Sequence, residues 1–76
     1  MLKGSRRALV KRIQPISIHG QVSLDILWTD PDDPEEEVLH ARVGDEAVPK
    51  GLSEGDEVVM HYLLGMVTRV TKRGET

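Results

Sequence analysis

The sequence predicts an all-β domain: a small five-stranded antiparallel sheet curled into a partly open barrel, with at most one short helical turn. Three observations carry this expectation. Apolar and polar residues alternate with a period of two along "QVSLDILW", "VLHARV" and "EVVMHYL". Turn-forming residues separate these runs at Gly20, across "TDPDDPEEE", across "GDEAVPKG" and at Gly65. No stretch carries a helical period over a helix-length window. A meander of such short strands must hide its edges, and curling does that.

The first strand is expected in "ALVKRIQPISI", which is rich in β-branched and aliphatic residues. Pro15 has no N–H to donate, so this strand should be an edge there, or broken or bulged. Gly20 marks the turn into "QVSLDILW". Val22, Leu24, Ile26 and Trp28 share one face of that strand, and Gln21, Ser23, Asp25 and Leu27 the other. Two prolines and six acids among the nine residues of "TDPDDPEEE" then make a solvated loop.

"VLHARV" sets Leu39, Ala41 and Val43 opposite Val38, His40 and Arg42. "GDEAVPKG" has room for a single helical turn, because Pro49 and Gly51 stop a longer one. In "PKGLSEGDEVVMHY", Gly55-Asp56 reads as a corner. The glycine permits the backbone geometry, and the short aspartate can bond the turn amides. Val58, Met60 and Tyr62 then face one way and Val59, His61 and Leu63 the other. Gly65 returns the chain through a tight hairpin into "MVTRVTK". The expected core is Val22, Leu24, Ile26, Trp28, Leu39, Ala41, Val43, Val58, Met60 and Tyr62.

At 76 residues the chain is one domain or less. A barrel over residues 8–72 is expected between a flexible basic arm, 1–7, and a flexible C-terminus, 73–76. So small a core is marginally stable alone, and dimerisation would add to it. An apolar content of 38% is too high for a fully disordered chain. The absence of cysteine excludes disulfides, thiolate metal sites and a cysteine nucleophile. No apolar run has the length of a signal peptide or a membrane helix, so a cytoplasmic, non-membrane protein is the expectation.

Net charge is −3, but both ends are basic and the middle is acidic. Such asymmetry marks a nucleic-acid contact or, more blandly, solvated charged termini. The candidate nucleic-acid-binding residues are Arg6, Arg7, Lys11, Arg12, Arg69, Lys72 and Arg73. If the first and last strands are neighbours, Lys11, Arg12, Arg69 and Lys72 form one patch able to hold phosphates. Base stacking has less support. The only aromatic residues, Trp28 and Tyr62, fall on the expected core face.

Other chemistries find little footing. His19, His40 and His61 recur every 21 residues, but equal spacing along the chain brings no ligands together, and no metal site is expected. Asp30 and Asp32 fit the start of a calcium loop, yet Pro34 takes the next ligand position and Ala41 stands where glutamate should close it. Ser17 and His19 share a strand face without a third partner. No phosphate loop or nucleophile elbow is present, so neither catalysis nor a cofactor is expected.

Two resemblances add to this. "LSEGDEVVMHYLLGMVTRV" resembles the closing hairpin of small OB-like or SH3-like barrels, where a Leu-x-x-Gly-Asp-x-Val corner opens a strand that returns through a glycine turn. It implies a fold type and, loosely, a module that binds nucleic acids or proteins. "VGDEAVPKGLSEGDEVVMHY" is similar to AbrB-type swapped-hairpin DNA-binding domains at Val48, Pro49, Lys50, Gly51, Glu54, Gly55, Asp56 and Val58. The expected function is non-catalytic binding of nucleic acid or a nucleoprotein through the basic terminal segments. The alternatives are a protein-interaction or assembly module using Leu27, Leu63 and Leu64, with a protein partner or as a homodimer, and an AbrB-like DNA-binding dimer.

Overall fold

The alternating runs become five strands of one antiparallel sheet in a computed structural model, which describes residues 3–35 and 37–72. The strands are β1 (Lys3–Ile18), β2 (Gln21–Thr29), β3 (Leu39–Gly44), β4 (Glu57–Leu63) and β5 (Met66–Lys72). One 3-10 turn, Asp45–Ala47, follows β3, as the single helical turn expected there. No helix among the described residues is long and apolar enough to cross a membrane.

The strand order is β3-β2-β1-β4-β5, and every pair is antiparallel. Alternating direction across that order leaves the two edge strands, β3 and β5, parallel to each other. The sheet coils until they come into contact, and the 3-10 turn packs on β5 at one end of this seam. They do not pair, so the barrel stays open along the seam.

β1 is the spine of the fold. Its first half, Lys3 to Leu9, pairs with β4, and its second half, Leu9 to Ile18, pairs with β2. This corrects the expected boundary of the basic arm. Lys3 to Arg7 are strand rather than arm, because β4 supplies a ladder for their backbone groups. Residues 1–2 of that arm and the C-terminal segment 73–76, with Arg73, lie outside the described residues.

Pro15 fits this arrangement. Beyond Leu9 the second edge of β1 has no strand beside it. Ile18 and Gln21 flank the two-residue turn His19-Gly20, whose φ angles are both positive, as a tight primed hairpin requires. Counting back from that turn, the pairs alternate and Pro15 falls at a non-hydrogen-bonded position. Its missing N–H therefore faces the open edge and costs no ladder bond.

A bulge at Lys11 reverses the faces of β1, since Val10 pairs with Trp28 and Arg12 with Leu27. Ala8 and Val10 point inward before it and Ile13 after it. The core is then a set of cross-strand contacts: Ala8 beside Val58, Val10 beside Trp28, Ile26 beside Ala41, and Met60 beside Val70. Val43 is also buried, and Leu24, Leu39 and Tyr62 pack against this core partly exposed. Val22 was expected inside but is 43% exposed. It sits where the β1–β2 hairpin runs past the last β3 partner, Gly44, so nothing lies over it.

The Gly55-Asp56 corner closes the other side of the barrel. Ser53 N–H donates to the Asp56 carboxylate at 2.9 Å, and Asp56 N–H donates to the Ser53 carbonyl at 3.1 Å. Gly55 has φ +93°. The residues of the AbrB resemblance thus form this loop and the start of β4, which pairs with β1 of the same chain.

Candidate functional site

Alternating strand directions collect the start of β1, the ends of β2 and β4 and the starts of β3 and β5 at one end of the barrel. The β4–β5 turn, Leu64-Gly65, projects from this end. Leu64 is 66% exposed and Met66 70%, with Leu63 at 44%. Leu64 also holds φ +55°, which a leucine adopts only at a cost.

Two clefts flank this hairpin. The first, of about 410 Å³, lies across β1, β4 and β5 and is lined by Lys3, Gly4, His61, Tyr62, Leu63, Thr68 and Arg69. The register explains the company: Lys3 stands beside Leu63, and His61 beside Arg69. A second bulge, at Thr68, lets the Thr68 hydroxyl donate to the His61 carbonyl at 3.3 Å. The His61 ring bonds Thr71 Oγ1 at 3.0 Å. Among the described residues, Lys3 and Arg69 form no ion pair.

The second cleft, of about 460 Å³, opens at the seam. Trp28, Leu39, Tyr62, Met66 and Val67 give it an apolar lining, and His40 and Arg42 stand among its walls. Tyr62 belongs to both clefts. Burial pushes its phenol pKa up, against a smaller downward pull from Arg6. In a chain with 13 acids, neither cleft is lined by one among the described residues.

The acids are engaged elsewhere. Asp25, on the outer face of β2, accepts Arg42 Nε at 2.7 Å and Arg42 Nη2 at 3.1 Å, with His40 Nε2 at 3.1 Å. Chiefly through the Arg42 hydrogen bonds, its carboxyl pKa is held down at about 2. Asp30 and Asp32, in the acidic loop, face the start of β1. Arg7 bonds Asp32 at 2.8 Å, and Arg6 stands 3.9 Å from Asp30 with its guanidinium 5.2 Å from the centre of the Trp28 ring.

The expected basic patch therefore divides. β4 lies between β1 and β5, so the first and last strands are not neighbours. Arg6 and Arg7 are paired with the acidic loop. Lys11 occupies the bulge, and Arg12 shares the outer face of β1, β2 and β3 with Leu27 and His40. Lys72 lies beside Val58 at the far end of β5. Of the described candidates, Arg69 alone lines the hairpin-end cleft. Its companion from the other end of the chain is Lys3, which was not among the candidates. Sequence alone had no means to place Lys3 beside Leu63, because the two are 60 residues apart in the chain.

His19, His40 and His61 sit at the β1–β2 turn, on β3 and on β4. Among the described residues, no three His, Asp or Glu side chains gather as metal ligands. Comparisons with family models, with curated proteins and with solved structures find no match.

Proposed function

We propose that this domain is a non-catalytic binding module that takes an anionic single strand, of nucleic acid, across the hairpin end of the barrel. One observation carries it. The cleft across β1, β4 and β5 is lined by Lys3, His61 and Arg69 and, among the described residues, by no acid, in a chain whose net charge is −3. Lys3 and Arg69 can meet phosphates, and the half-buried ring of Tyr62 borders both clefts, where a base could rest on it. An OB-like barrel accords with this: it is five-stranded and partly open, and its β4–β5 turn is among the loops that meet oligonucleotides. This reading sets Lys3 and Arg69 ahead of Arg6 and Arg7, which stand beside Asp30 and Asp32 of the acidic loop.

A heteronuclear NMR titration with short single-stranded oligonucleotides, at low and moderate salt, tests this. Amides of residues 3–4, 61–63 and 67–69 should shift, and the shifts should fade as salt rises. Lys3→Ala and Arg69→Ala should each weaken binding, and Arg12→Ala should not. Unchanged spectra at low salt would sink the proposal.

A second reading rests on Leu63, Leu64 and Met66, an exposed apolar tip that suits protein docking. Leu64→Asn separates the two: it should abolish a protein contact and leave oligonucleotide affinity nearly unchanged.

A further inference from the structure

The Asp32 side chain is 81% exposed, yet its carboxylate accepts Arg7 Nη2 at 2.8 Å. The register explains the meeting. β2 pairs with β1 only from Leu9 onward, where Leu9 stands beside Thr29. The first half of β1 therefore has β4 on one side and no strand on the other. The acidic loop leaves β2 at Thr29 and brings Asp30 toward Arg6 and Asp32 to Arg7.

Arg7 stands on the face that carries the Lys3–Arg69 groove. Arg7 pairs with Val59, Ser5 with His61 and Lys3 with Leu63, and residues two apart in a strand share a face. Arg69 continues the row from His61 onto β5. Lys3, His61 and Arg69 line the groove. Arg7 lies on the same side of β1, about 14 Å beyond Lys3 at roughly 3.4 Å per residue.

A carboxylate and a phosphate offer a guanidinium the same kind of charged oxygen, so Asp32 makes the contact that a phosphate would make with Arg7. So exposed an ion pair is worth little and exchanges readily. We infer that the acidic loop is a built-in competitor for the bound strand: Asp32 holds Arg7 in the free protein, and a phosphate takes its place when the strand runs on from the Lys3–Arg69 groove. This rests on the single-strand reading above. It adds Arg7 to the binding face and gives the loop a regulatory part. The exchange sets a threshold: an anion that cannot reach Arg7 gains only the groove, and one that can must first release the loop.

The full chain, 15N-labelled, is titrated with a short single-stranded oligonucleotide at one low salt concentration. The Asp32 amide, which donates to Asp30 Oδ1 at 2.9 Å, should shift together with the Lys3 and Arg69 amides as the loop lets go. Asp32→Asn removes the competitor and should tighten binding about two- to fivefold more than Glu37→Gln, the scale of one exposed ion pair. Glu37→Gln takes the same charge from the same loop, and Glu37 meets no cation among the described residues. In an Arg7→Gln background the two acid variants should bind alike, because the gain passes through Arg7. If Asp32→Asn gains no more than Glu37→Gln while the Lys3 and Arg69 amides still shift, the competitor is overturned and the groove stands. A gain that survives in Arg7→Gln overturns it too. If no peak moves, both readings fall.

Discussion

Gly55 donates its backbone N–H to the carbonyl of Val10 at 2.8 Å, and the Val10 N–H returns a bond to the Asp56 carbonyl at 2.9 Å. This exchange takes place where β4 stops pairing with β1 and the Lys11 bulge begins. The loop thus replaces the missing strand at the kink of the barrel's spine. A nearby bond, Ile13 N–H to the Glu54 carboxylate at 3.3 Å, extends the same seal.

Gly55→Ala should destabilise the fold by about 1–2 kcal/mol, the cost of placing a side chain at positive φ. The new methyl would meet nothing within 4 Å, so backbone strain is the whole effect. Asp56→Ala should cost about 1 kcal/mol through the lost Ser53 bond. Urea denaturation checks both, and equal stability with wild type would show that the corner is not closed as described.

Leu64 occupies a left-handed position that asparagine tolerates better, with φ +55°. Leu64→Asn should therefore raise stability by about 0.5–1 kcal/mol while removing an exposed leucine. A thermal melt decides, and a lower midpoint would mean that Leu64 packs on something in solution.

Thr29 is fully buried, and its hydroxyl has no partner among the described residues. Thr29→Val should stabilise the domain, by about 1 kcal/mol, since it removes an unsatisfied polar atom while keeping the shape. Destabilisation by the same change would reveal a hydrogen bond to water at this position.

Asp25 should titrate near 2, well below an unfolded aspartate. Its depressed pKa means that the folded state favours the carboxylate. The resulting stability is present above about pH 4 and is lost as pH falls toward 2. In Arg42→Gln the midpoint should climb back toward the ordinary carboxylate range. A carbon-detected NMR titration that gives the same midpoint in both proteins would refute the ion pair.

Tyr62 is the chain's one tyrosine, so its ionisation can be followed by phenolate absorbance. Burial raises its pKa, hence the folded state favours the neutral phenol. Stability should be full below the ordinary tyrosine pKa and decline as pH rises through it toward the folded value. Arg6→Gln should raise the midpoint further, because it removes the opposing positive charge. A midpoint at or below that of free tyrosine would place the ring in solvent.

Local physics made much of this fold legible in the sequence. Alternation at Leu24, Ile26 and Trp28 and at Val58 and Met60 told which residues turn inward, because a strand has only two faces. Gly20, Gly65 and the Gly55-Asp56 pair marked their turns, because few residues accept positive φ or bond their own turn amides. Tertiary structure alone decided the rest. The Lys11 and Thr68 bulges shift the face of every residue after them, and a bulge follows from how neighbouring strands meet. The basic ends looked like one patch, yet β4 lies between β1 and β5, and Arg6 and Arg7 turn to the acidic loop. The pairing of Lys3 with the β4–β5 hairpin end, and the cleft left between two parallel unpaired edges, depend on how far the sheet coils. That is settled by packing the whole core at once, which no single stretch of the chain encodes.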